Sequence, residues 1–310
     1  MKKRLILSLL LSLIFISACG GQKPESSPIV QPADTKETTP LSETEAAIPP
    51  EGTDPPFPVS QVPEALPSNP QSVNFSAPDG QPLQGEFFPA AVDSAPIIVL
   101  MHWYPGDLEE WTEIAFWLQN RGLTGDKNGV PWKDPSWFPP LGEDQSFNVL
   151  SFTFRNCMGG CSAPDPEGWQ LDARASLEYA SMLPGVDPDR VIAIGASIGS
   201  DGAIFGCAAV LEGDPNACLG ALSLSPGSYL GIPYPDLVSS LGNSDPPRPA
   251  WCLYDENDAD SAVCAQASGE NYHQESWSDG YLHGMHLLTP NLDPIPLERI
   301  LDFLALVLDI

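Results

Sequence analysis

Gly195-Ala196-Ser197-Ile198-Gly199 is the stretch whose residue types and spacing best fit covalent chemistry. It reads G-x-S-x-G and sits between an apolar run expected to form a buried strand and a segment expected to form a helix. A glycine on each side lets the backbone turn tightly enough to lift the Ser197 hydroxyl above the sheet. The following helix brings its positive end close, so that end and the Ile198 N–H can stabilise an oxyanion. The chemistry expected is attack on an acyl carbonyl, with a base to take the serine proton and a carboxylate to orient the base. The chain has four histidines, and His273, His283 and His286 follow the serine. His273 falls within an expected strand, which leaves His283 and His286 as candidate bases. For the carboxylate, the run Asp255-Glu256-Asn257-Asp258-Ala259-Asp260 offers Asp255, Asp258 and Asp260. Carboxylates so close together cannot all be buried and charged without partners. One is expected to face the histidine, the others to be solvated or to cap the next helix. Asp201, in the first turn behind Ser197, is read as favouring the helix dipole, with substrate positioning as the second reading.

The elements that must hold these residues alternate in type. Residues 72–75 and 83–88 flank Asp79-Gly80, a hairpin turn signal. Continuous apolar runs at 97–101, 147–154 and 191–194 suit strands buried on both faces, and 221–224 and 250–254 are further strands. A last strand is expected around His273. Helices are expected at 110–121, 171–183, 201–211 and 297–308. Strands separated by helix-length segments imply a mainly parallel sheet with helices on both faces. One interval, 123–146, is too long for a simple connection. It carries Trp132, Trp137 and Phe138 among prolines and glycines. Exposed aromatics there suggest a rim or small cap over the site, and a packed surface elaboration is the other reading.

The order of hairpin, strand, His102-Trp103, helix, strand, helix, Asp187-Pro188-Asp189-Arg190, strand and Gly195-Ala196-Ser197-Ile198-Gly199 resembles the α/β-hydrolases of the dienelactone-hydrolase and esterase branch. The resemblance runs over residues 72–310. It implies the α/β-hydrolase fold and the chain order nucleophile, acid, base. Carried onto this sequence, it implies Ser197 as nucleophile and His283, in the loop before the terminal helix, as base. Asp258 is the implied acid, with Asp255 and Asp260 as alternatives. His102-Trp103 stands where the family has His-Gly, so the Trp103 N–H is the implied second oxyanion donor beside Ile198. Tryptophan in place of glycine puts a large ring at the pocket wall. His102 itself is read as stabilising the turn, and His286 as a core or supporting residue against Leu287 and Leu288. The implied reaction is carboxylic-ester hydrolysis through an acyl-enzyme, on a small-molecule substrate and with neither metal nor organic cofactor. The same triad can cleave an amide or peptide. A surface-binding protein on a degenerate hydrolase scaffold is the reading from a different class. Trp103, Tyr104, Trp132 and Trp137 hint at an apolar or ring-bearing substrate.

The N-terminus is an address. Lys2-Lys3-Arg4, an apolar run at 5–16 and Ser17-Ala18-Cys19-Gly20 form a secretory signal over 1–18, too short for a transmembrane helix. Ile16-Ser17-Ala18-Cys19 resembles the bacterial lipobox, which implies lipidation at Cys19 and a stable membrane anchor facing outside the cytoplasm. Residues 19–70, rich in Pro, Thr, Ser and Glu, are expected to be a disordered tether, and 71–310 the globular domain. Six cysteines remain: Cys157, Cys161, Cys207, Cys218, Cys252 and Cys264. An even number in an exported chain suggests disulfides, and their sequence-local grouping suggests 157–161, 207–218 and 252–264. Cys-x3-Cys without a nearby histidine is poor zinc spacing. With 13 Lys+Arg against 41 Asp+Glu, the formal charge is −28. Such a surface repels phosphate backbones, so nucleic acid is not an expected partner.

Overall fold

The computed structural model describes residues 66–125, 128–278 and 280–310. The signal segment, Cys19 and the tether up to residue 65 lie outside the described residues. Eight strands form one sheet in the order β1-β2-β4-β3-β5-β6-β7-β8. β1 (Gln71–Ser76) and β2 (Pro82–Phe88) are the antiparallel hairpin, turning through Gly80 at φ 87°. β2 also runs antiparallel to β4 (Asn148–Thr153). From β4 through β3 (Ala95–Met101), β5 (Val186–Ala196), β6 (Gly220–Leu224), β7 (Ala250–Asp255) and β8 (Tyr272–Trp277), every pairing is parallel.

The side-chain period of two splits the central strands between two cores. Ile97, Val99 and Met101 of β3 face one side, with Ala193 of β5 and Cys252 of β7. There they meet α2 (Pro166–Ala180), α3 (Ile198–Leu211) and α4 (Tyr234–Gly242). Ile98 and Leu100, with Ile194, Leu222 and Leu253, face α1 (Thr112–Gln119) and α5 (Pro296–Leu308) on the other. Burial on both faces is why these strands read as unbroken apolar runs.

Several boundaries differ from expectation. α2 begins five residues earlier than 171, at Pro166, because Asp165 caps it by accepting the Gly168 N–H. β5 reaches back from the expected 191 through Asp187-Pro188-Asp189-Arg190 to Val186. α4 was not expected at all. Residues 66–70 lie against the domain: Ser68 O accepts from Gln119 and Leu66 O from Arg121. The six cysteines pair as 157–161, 207–218 and 252–264. Three disulfides fit an oxidising compartment. Among the described residues, no helix is long and apolar enough to cross a membrane.

Candidate active site

β5 ends at Ala196 and α3 starts at Ile198, so Ser197 alone makes the corner. Its backbone sits at φ 54° and ψ −119°, a left-handed conformation costly for a residue with a side chain. The flanking glycines are there for space. A Cβ on Gly195 would fall on the Gly199 carbonyl, and one on Gly199 would fall on the carbonyls of Met101 and His102. The β3–α1 loop therefore runs directly against the first turn of α3. The Ser197 N–H donates to Leu224 O of β6 at 2.8 Å, which fixes the corner to the sheet. Ser197 is 4% exposed.

The structure brings three of the expected residues together. His283 Nε2 lies 2.8 Å from Ser197 Oγ, and His283 Nδ1 lies 2.6 Å from Asp258 Oδ2. A carboxylate only accepts, so Nδ1 carries the proton and Nε2 is left to accept from the serine hydroxyl. Asp258 follows β7 in a tight turn, its N–H bonded to Asp255 O at 3.0 Å. The Ser261 hydroxyl also donates to Asp258 Oδ2, at 2.6 Å. His283 is held by what comes next. Gly284, at φ 58°, lies so close that a Cβ would come within 3.0 Å of Trp103 Cε3 and 3.6 Å of Ser197 Cβ.

The other candidates are elsewhere. His286 packs on the aromatic wall, its ring centroid 5.0 Å from Trp103 and 5.3 Å from Trp132, and burial and His283 hold its imidazole below the ordinary value. His273 lies on the edge strand β8 against Trp251, with ring centroids 4.3 Å apart. Both nitrogens of His102 are taken by backbone. Phe154 N–H donates to Nε2 at 3.0 Å, so Nδ1–H donates to Trp103 O at 2.7 Å. Full burial lowers its imidazole to about 4, which keeps it neutral and fixes the path of Trp103. Of the acidic run, two carboxylates are buried instead of one. Asp255 turns back to accept from the Asn257 amide and side chain at 2.8 and 3.0 Å. Asp260 is exposed and accepts from the Tyr229 hydroxyl.

Asp201 lies in the first turn of α3, as the helix dipole favours. It caps nothing, because Ser197 holds the cap position of α3. Its Oδ2 accepts the Tyr229 N–H, and the amides of Gly227, Ser228 and Leu230 face the same carboxylate. Burial raises its carboxyl to about 7 against those bonds. The 227–230 turn is thereby pinned with the Tyr229 ring edge-on to His283, centroids 6.1 Å apart. Sequence reasoning missed Tyr229. A usable signal was present, since Ser225-Pro226-Gly227-Ser228 leaves the carboxyl end of a parallel strand, where such sheets build their sites.

The 123–146 segment contributes Trp132, which is buried, not exposed, and meets the Trp103 ring edge-on at 5.7 Å. Trp132 Nε1 donates to Glu110 Oε2 at 2.9 Å, and Lys133 Nζ pairs with Glu110 Oε1 at 3.0 Å. Trp137 and Phe138 pack on each other and toward α1, with Trp117. A cavity of about 530 Å³ lies outside α2, α3 and α4, around Phe205 and Leu237, and no triad candidate lines it.

This is the α/β-hydrolase fold, and solved structures of similar architecture agree. An α/β hydrolase, GrgF, from Penicillium sp. sh18 superposes with a TM-score of 0.55 at 15% identity, covering 79% of this chain and all of that one. The carboxylesterase EstE1, cloned from a metagenomic library, gives 0.51 at 17%, over 78% of this chain and 88% of its own. An esterase from Pyrobaculum calidifontis gives 0.52 at 14%, over 76% and 85%. No family model matches the chain. By sequence it is 25% identical to the uncharacterized protein YfhR of Salmonella typhimurium over 215 residues, 67% of this chain and 64% of YfhR. It is 28% identical to the uncharacterized protein Rv2307c of Mycobacterium tuberculosis over 144 residues, 46% of this chain and 42% of that protein. The chain thus spans a little under two thirds of the YfhR length it matches.

Proposed function

We propose that this chain is a serine hydrolase that cleaves a carboxylic ester of a small molecule through an acyl-enzyme. The observation that carries the reading is the continuous relay Ser197 Oγ–His283–Asp258 at 2.8 and 2.6 Å, with the serine in a strained corner. Ser197 Oγ attacks the ester carbonyl while its proton passes to His283 Nε2. Asp258 stabilises the imidazolium that forms. The Ile198 and Trp103 amides receive the oxyanion, helped by the positive end of α3. The tetrahedral intermediate then expels the alcohol, which takes the proton back from His283. Water, activated by the same imidazole, attacks the acyl-enzyme and releases the carboxylic acid and free Ser197. In this reading Ser261 and Gly284 position the acid and the base. The protein is exported, with residues 1–18 as signal and Cys19 as lipid anchor. Its three disulfides suit that compartment.

A fluorophosphonate probe tests the reading. Intact protein should be labelled at Ser197 and Ser197→Ala should not. His283→Ala should abolish labelling while His286→Ala retains it. An unlabelled wild-type protein, or the reverse histidine pattern, sinks the assignment.

A further inference from the structure

The loops around the triad are devoid of cations. No lysine or arginine occurs in residues 102–107, 197–201, 225–233, 255–261 or 278–288. Two cations of adjoining segments are already paired. Lys133 sits on Glu110 at 3.0 Å, and Arg155 bonds Asp79 at 2.6 Å and Asp172 at 2.8 Å. Negative charge, by contrast, stands at the imidazole and at the Tyr229 hydroxyl. Asp258, 1% exposed, has an Oδ1 with no hydrogen-bond partner among the described residues. Asp260 is exposed at the start of the 3-10 turn Asp260–Gln266, and the Tyr229 hydroxyl donates to its Oδ2 at 3.3 Å.

The Tyr229 phenol touches this charge, and the Tyr281 phenol feels its field. The Tyr229 ring stands edge-on to His283, and Asp201 pins its backbone from beneath. Tyr281, two residues before His283, is 65% exposed. Its phenol is pushed above the ordinary value first by the charge of Asp258, then by burial and by Asp260, so both carboxylates bear on this ring. Aromatic faces beside a carboxylate attract a cation through the ring quadrupole and the Coulomb field together. The same field repels a carboxylate, and the loops named above hold no lysine or arginine to offset it.

We propose that the site selects esters carrying a positively charged group, such as a quaternary ammonium, near the scissile carbonyl, and discriminates against esters carrying a carboxylate there. Asp260 and Tyr229 are the specificity determinants. This rests on the hydrolase reading above and narrows its substrate class.

Three acyl esters of matched length and common leaving group test it, ending in a methyl, a trimethylammonium or a carboxylate. With the full chain at low salt, kcat/KM for the cationic ester should exceed that for the anionic ester by about 10- to 100-fold, with the neutral ester between. At about 0.5 M salt the ratio should shrink to a few-fold, because the determinants are partly solvated. Asp260→Asn should cut the low-salt ratio several-fold, and Asp260→Lys should cut it further or invert it. Equal rates for cationic and anionic esters, with neutral-ester turnover that needs Ser197, overturn this inference and leave the hydrolase reading standing. Absence of Ser197-dependent turnover for all three overturns both.

Discussion

Asp201→Asn probes the buried carboxylate that pins the Tyr229 turn. Burial raises the Asp201 carboxyl from 3.8 to about 7 in the folded chain, while the unfolded chain keeps the ordinary value. Between these limits the folded state holds a proton that the unfolded state has released. The stability this group contributes is therefore greatest at the acid end and is lost as pH rises through 7. A shift of about three units corresponds to a decline on the order of 4 kcal/mol. His102 opposes it over nearly the same window. Its imidazole is lowered from 6.5 to about 4 by burial, so its contribution is full above 6.5 and is lost as pH falls toward 4. In the wild-type profile the two slopes oppose each other, so neither is read from that profile alone. Asparagine keeps an oxygen for the Tyr229 N–H but does not titrate. Urea unfolding of the disulfide-intact protein should therefore give a variant-minus-wild-type difference that climbs in the variant's favour between about pH 4 and pH 7, then levels off. The His102 contribution cancels in that difference. A difference that stays constant across the range refutes the reasoning.

Further outcomes follow from the site. Asp258→Asn should leave the fold intact but lower kcat by about 10³- to 10⁴-fold, because an amide can present its N–H to His283 Nδ1 and favour the wrong tautomer. A steady-state ester assay reads this directly. Gly199→Ala drives a methyl into the Met101 and His102 carbonyls, so thermal unfolding should report a loss of on the order of 3 kcal/mol or more, and labelling of Ser197 should fall with it.

How much of this could be read in advance depended on how local its cause is. The elbow was legible because its demands are local: two glycines, one serine and an adjoining buried strand. The central strands were legible because burial on both faces leaves a continuous apolar run. α4 was not, since Tyr234-Pro235-Asp236 and the serines at 239 and 240 carry weak helix propensity, and tertiary contact of Leu237, Val238 and Leu241 holds the turn instead. Spacing alone also could not separate His283 from His286. Backbone direction does so: His283 is extended at φ −127° and ψ 136°, and His286 lies in the 3-10 turn Gly284–Leu287 that carries its ring to Trp103 and Trp132. The Asp201 contact was invisible for a further reason. It joins positions 28 residues apart, and its burial hides a carboxylate that a helix start would ordinarily expose.

The disulfides separate stability from site geometry, and comparing two of them is the last test. Cys252–Cys264 joins β7 to the 3-10 turn and encloses Asp258 and Ser261 within its loop. Cys207–Cys218 joins the distal half of α3 to the lead into β6, at the end of that helix away from Ser197. Their sequence separations are nearly equal, 12 and 11 residues, so loop-closure entropy assigns each about 3 kcal/mol. Removing either pair by double alanine substitution should thus lower unfolding stability by similar amounts. Catalysis should respond unequally. Freeing the 252–264 loop lets the acid drift from His283 Nδ1, and kcat should drop at least tenfold at temperatures where the fold is intact. Freeing the far end of α3 leaves the corner at Ser197 held by the Leu224 carbonyl, and kcat should change little. A kcat left unchanged by removing Cys252–Cys264 would mean that the acid loop is held by packing alone, with no share carried by its crosslink.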